Sequence, residues 1–168
     1  MSIRVLQESD VLLYQELRLS SLKLNPEAFC STYEREAGFS LDVVVERITP
    51  SQDKFVLGAF DQSGSLLGIV TFMREVSLKS THKGNVYGMY VAPKVRGCGV
   101  GKSLMLELIR RAKVCEGLEQ INLSVISNND PARKLYESLG FQLYGVERNA
   151  LKSNGQYYDE EFMVLKLN

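Results

Sequence analysis

At 168 residues the chain has the length of one domain, enough to bury roughly 70% of the surface its unfolded form exposes. Its 20 basic and 20 acidic residues cancel, which removes the global positive field that draws a protein to nucleic acid or an anionic membrane. The three cysteines, Cys30, Cys98 and Cys115, are odd in number, far apart and without a CxxC pair, so they read as free thiols in a reducing compartment and give no metal site.

The first residues, MSIRVLQESD, lack the basic-then-apolar order of a secretion signal, and no run of about 18 apolar residues follows, so a cytoplasmic protein is expected. After a short strand at Ile3 to Leu6, the capping side chains of Glu8, Ser9 and Asp10 open a helix that carries Leu12, Leu13, Leu17 and Leu24 and stops before Pro26. The polar stretch Cys30 to Phe39 reads as part of a flexible cover, followed by a short helix over Ser40 to Ile48. FVLGAF and LLGIVTFM, joined by the turn signal DQSGS, and a third run at Val86 to Val91 suggest an antiparallel meander.

A helix beginning near Gly101 sets Leu104, Met105, Leu108, Ile109 and Ala112 on one face. INLSVIS is then a strand, and strand, glycine turn, helix and strand make one βαβ crossover with parallel strands. Asp130 as cap and Pro131 in the first turn start another helix, which Gly140 stops. The last two strands meet at the hairpin signal Asn154-Gly155. These elements predict a single α+β domain over 1–168: a mixed, mostly antiparallel central sheet with a βαβ crossover and flanking helices.

The glycine turn, VRGCGVGKS, suggests a phosphate. A nucleotide-hydrolase loop needs Gly at position 96, where Arg96 stands, and a dinucleotide loop needs Gly at 102, where Lys102 stands. Glycine still lets backbone N–H groups approach an anion at a helix start, and Arg96 adds a fork of charged donors. The pattern Arg96, Gly99, Gly101, after the strand VYGMYVAP, resembles the acetyl-CoA pyrophosphate loop of the GNAT superfamily of N-acetyltransferases. SNNDPARKLYESLGF is similar to that family's second signature, with Asn129, Ala132, Leu135, Tyr136, Leu139, Gly140 and Phe141 in place. The specific resemblance covers about a third of the chain, Val86 to Phe141.

The resemblance implies that the strands flanking the crossover splay apart and that the pantetheine arm enters the gap beside Met89, Tyr90 and Val91. It implies that Arg96, Gly97, Cys98, Gly99, Val100, Gly101 and Lys102 hold the pyrophosphate, that Asn129 contacts the cofactor arm, and that Tyr136 faces the sulfur as proton donor. Cys98 departs from the polar or basic residue usual at its place. The activity implied is direct acetyl transfer from acetyl-CoA to a primary amine, without metal. The absence of charge bias favours a small-molecule amine over protein N-termini or lysines.

Transfer to an alkylamine of pKa about 10.4 leaves only about one molecule in 2,500 neutral at pH 7, a penalty of about 4.6 kcal/mol, so a base is needed. Glu34, Glu36, Glu75, Tyr87, Tyr90, Asp159 and Glu160 are the candidates, and the sequence does not choose among them. Without the resemblance Tyr136 reads as a core tyrosine, and His82 and the Arg110-Arg111-Lys113 cluster read as solvated. A nucleotide phosphotransferase and a CoA-binding sensor are the rival functions, and exposed terminal strands leave a homodimer open.

Overall fold

The two apolar runs at the centre of the sequence become the centre of a sheet because both of their faces are covered, the condition under which a strand can be continuously hydrophobic. The computed structural model describes residues 1–168. Its seven strands are β1 (Ser2–Val5), β2 (Lys54–Phe60), β3 (Leu66–Arg74), β4 (Lys83–Val91), β5 (Gln120–Ile126), β6 (Gln142–Ser153) and β7 (Gln156–Lys166), in the sheet order β1-β2-β3-β4-β5-β7-β6. Only β4 and β5 are parallel, as the crossover between them requires.

One face carries α4 (Val100–Lys113) and α5 (Asp130–Ser138); the other carries α1 (Val11–Leu24), α2 (Tyr33–Ala37) and α3 (Leu41–Ile48). The helix face foreseen for α4 is the buried one: Leu104, Met105, Leu108 and Ala112 are inaccessible and pack on Leu57, Val70 and Phe72. On the opposite side Tyr14 and Val44 meet Val56, Ile69 and Tyr90. Asn154 and Gly155, with φ of 50° and 75°, make the left-handed pair that a two-residue hairpin needs.

Two expectations change, and α1 adds an observation. In α1, Leu12, Leu13 and Leu24 point to solvent, and the buried stripe is Tyr14, Arg18, Ser21 and Leu22. The buried stripe does not follow the leucines, because a buried arginine, paired with Glu36 on α2, occupies one of its positions. The stretch Cys30 to Phe39 is not plain cover: Thr32 caps α2 by accepting a hydrogen bond from Arg35 N, and Glu36 on that helix is only 1% exposed. The cap of α5 is Asn129, whose Oδ1 accepts from Ala132 N at 3.3 Å, while Asp130 lies inside the helix and pairs with Arg133. Both residues are good caps, and Pro131 fits either frame.

The feature that makes a site is where the sheet fails. β4 and β5 pair only over Lys83 to Asn85 and Gln120 to Asn122. Beyond that point β4 bulges at Gly88, with φ of 58°, and its register against β3 shifts. A bulge bends its strand, and the two parallel strands part.

Candidate active site

The parted strands line a cleft of about 890 Å³, walled by Val86 to Val91 of β4 and Leu123 to Ile126 of β5. At one end stands the glycine turn and at the other Gln156 and Tyr158 of β7, with Asn25 to Phe29 crossing over it. Backbone groups of β4 beyond Asn85 have no partner on β5, so an extended chain entering the cleft meets a strand edge ready to pair. Of the residues expected at the site, Met89, Tyr90, Val91, Arg96, Gly97, Gly99, Val100, Gly101, Lys102, Asn129 and Tyr136 all border this cleft, and Cys98 does not.

The turn is shaped for an anion. Gly97 and Gly99 have φ of 79° and 81°, and nothing lies within 4 Å of where a Cβ would stand on either, so their role is conformational and they leave the approach open. Ser103 N donates to Gly99 O at 3.0 Å as the first helical bond, and the N–H groups before it are the free donors of a helix start. Gly101 serves packing: a Cβ there would come within 3.0 Å of Met89 Cε and 3.4 Å of Leu135 Cδ2. Val100 is buried in the core, so only its backbone can reach a ligand.

Arg96 is less free than its sequence position suggests. Its Nε donates to Val91 O at 3.0 Å and its Nη2 to Asn25 Oδ1 at 3.0 Å, and the guanidinium lies over the Tyr90 ring. It ties the turn to the segment that crosses the cleft. The Tyr90 side chain packs against Phe29 on the α1 side, away from α5; both residues border the cleft, and the Tyr90 hydroxyl is buried with no hydrogen-bond partner.

Tyr136 comes from α5 and lies edge-on to Phe141, which returns through Gly140 at φ 93° so that Phe141 N donates to Tyr136 O. The ring is 6% exposed, and burial pushes the phenol up to about 12, so it holds its proton throughout the physiological range. Asn129 borders the cleft too, but its oxygen is committed to the helix cap and only its amide NH₂ is free to donate.

Residues 19–141 match the acetyltransferase (GNAT) family. The chain belongs to that family. The acetyltransferase is 26% identical over 165 residues to the L-amino acid N-acetyltransferase AaaT of Escherichia coli, an alignment covering 98% of both chains. Among solved structures, smu.2055 of Streptococcus mutans has a TM-score of 0.84 at 21% identity, with all of both chains covered. The phosphinothricin acetyltransferase of Sinorhizobium meliloti, solved with acetyl-CoA, has a TM-score of 0.82 at 22% identity and covers 98% of this chain and 87% of its own.

The candidate bases of the acetyltransferase separate clearly. Burial alone would raise the Glu36 carboxyl, but the guanidiniums of Arg18 and Arg47 hold it down at about 2, so it cannot take up a proton near neutrality. Asp159 is held low by the Asn149 backbone N–H and by Arg148 and is locked into the bulge of β6. Glu34 is exposed on α2, and Glu75 accepts from Asn85 Nδ2 below the point where the strands part. Tyr87 borders the cleft, and burial, with the charge of Glu75, raises its phenol. Glu160 accepts from Ser124 Oγ at 3.0 Å, and Ser124 borders the cleft on its α1 side.

His82 sits in the turn before β4, outside the cleft, and Arg110 and Arg111 both bind Glu107. No helix is long and apolar enough to cross a membrane. Sequence reasoning missed Asn25, Phe29 and Ser124, which border the cleft, and the buried Arg18, which lies outside its lining; none of them belongs to a spaced motif.

Proposed function

We propose that residues 1–168 act as a single acetyltransferase domain that moves an acetyl group from acetyl-CoA directly to the primary amine of a small molecule carrying an α-carboxylate. The observation that carries this reading is the free edge of β4, which leads from the glycine turn to the buried Tyr136 within one cleft. Bound acetyl-CoA supplies an activated thioester; everything else falls to the chain. The N–H groups at the start of α4 hold the pyrophosphate, and those backbone groups of Met89 to Val91 that face the cleft orient the pantetheine arm and offer an N–H to the carbonyl oxygen.

Tyr136 gives its proton to the departing thiolate. A phenol near 12 is a weaker acid than a free thiol, but the same buried surroundings raise a thiol as well, which narrows the gap between donor and acceptor. Glu160 takes the proton of the amine through water, because it is the one candidate carboxylate bonded to a group on the acceptor side of the cleft. The three unpaired thiols fit a reducing compartment, and we place the enzyme in the cytoplasm.

The amino-acid character of the acceptor draws on the similarity to a protein named for that substrate class. The test incubates the protein with acetyl-CoA and a panel of amino acids, polyamines, aminoglycosides and peptides and follows free thiol, with acetyl-CoA and ATP thermal shifts alongside. Stabilisation by acetyl-CoA and thiol release with amino acids are expected. Stabilisation by ATP alone would overturn the reading, and acetyl-CoA binding with no turnover would make the protein a sensor.

A further inference from the structure

Two arginines share one carboxylate behind the acceptor half of the cleft. Arg18 Nε and Nη2 each donate to Glu36 at 2.9 Å, and Arg47 contacts the same group at 3.0 Å. The three side chains together carry one uncompensated positive charge. Arg47 is 35% exposed and its buried Nη1 lies 3.0 Å from Glu36 Oε2, whereas the Arg18 side chain is 7% exposed and its Nη1 is buried with no hydrogen-bond partner and no carboxylate oxygen paired with it. A guanidinium N–H left bare in the interior is costly unless an acceptor reaches it.

The place where an acceptor can reach it is defined. Arg18 Nη1 lies 3.7 Å from where a Cβ would stand on Gly88, with Thr71 Oγ1 at 3.9 Å from the same point. Gly88 is the bulge of β4 and borders the cleft, as does Phe29, whose ring lies 4.8 Å from the Arg18 guanidinium carbon. Gly88 places no side chain there, so an oxygen can approach the buried Nη1 and Thr71 Oγ1 once the Phe29 ring moves off the guanidinium.

We infer that Arg18 is the anchor for the α-carboxylate of the acceptor, with Thr71 as a second donor and Gly88 providing the passage. The inference rests on the acetyltransferase reading and adds the residue that selects the substrate class. Glu160, across the gap on the β5 and β7 side, is then free for the amine proton. Phe29 lies in the loop after the turn Pro26–Ala28, and its ring must swing aside to admit the carboxylate.

Matched pairs of L-amino acids and their α-carboxamides test this, because they differ in the group Arg18 would bind. The wild-type chain should favour the acids by roughly ten- to a hundredfold in kcat/KM, the effect of one charged hydrogen bond. In the double variant Arg18→Met with Glu36→Gln, chosen so that no carboxylate is stranded in the core, the acid-to-amide ratio should collapse. Calorimetry with N-acetyl amino acids and N-acetyl amino acid amides should give the same ordering without turnover. Equal rates and equal binding for acids and amides in the wild type, or a preference that survives the double variant, would overturn the assignment. If amines are acetylated but acids are not preferred, the Arg18 assignment fails while the acetyltransferase reading stands. Should the double variant not fold, Thr71→Val removes the second donor and leaves the ion pair intact: the acid-to-amide ratio should fall, and an unchanged ratio would overturn the assignment.

Discussion

In the proposed mechanism Tyr136 and Glu160 divide the proton traffic between the two faces of the sheet, and each role predicts a different pH response. Tyr136→Phe keeps the ring that packs edge-on against Phe141, so thermal stability and acetyl-CoA affinity should change little. Loss of a general acid lowers kcat by about a hundredfold or more where chemistry limits the rate. With the phenol at about 12, the wild-type profile should show no descending limb from Tyr136 below about pH 11. Glu160→Gln should also lower kcat near neutrality, but its defect should shrink as the pH approaches the amine pKa of about 10, where the neutral amine no longer needs a base. Parallel pH–rate profiles of the two variants check both statements. An unchanged kcat in Tyr136→Phe with chemistry rate-limiting would remove it as the acid.

The glycine turn and its helix show how one short motif combines two physical demands. Gly99 sits at φ 81° in open space, so Gly99→Ala meets no clash but costs about 1–2 kcal/mol of backbone strain and should weaken acetyl-CoA binding by disturbing the donors. Gly101 has no positive φ but faces Met89, Leu135 and Val91 at 3.0 to 3.5 Å, so Gly101→Val overpacks the junction of α4, α5 and β4. A stability loss of about 1–3 kcal/mol is expected, visible by thermal denaturation without ligand. This half of the molecule was legible because its residues carry local, strictly spaced constraints: positive φ at the turn, a buried stripe on α4, a stop at Gly140. The other half was not. The leucines of α1 do not mark its buried face, since a buried position belongs to Arg18 and its reason, Glu36, lies 18 residues away on a helix within a stretch read from its polar composition as flexible cover. Pairing across that distance leaves no period in the sequence.

For the molecule as a whole, that same ion pair ties α2 to α1 and α3. Glu36 binds Arg18 on α1 and Arg47 on α3, and its carbonyl accepts from Gln15 Nε2, so α2 is fixed to two helices through one residue. Folding lowers the Glu36 pKa from 4.5 to about 2, so the native state binds fewer protons there than the unfolded chain. The pair therefore stabilises the fold fully above about pH 4.5, by something on the order of 3 kcal/mol, and that stability drains away as the pH falls toward about 2. Other carboxylates are held low too, among them Asp10 by Arg4 and Glu107 by Arg110, so acid denaturation of the wild type sums several groups. Comparison with Glu36→Gln isolates this one. The variant should be less stable at pH 7, because it strands a buried guanidinium, yet its stability should fall less steeply between pH 5 and 3, so that the two denaturation curves converge in acid. Parallel pH dependences of the two proteins, measured by urea unfolding, would show that Glu36 is not the charged pin between α2 and the rest of the fold.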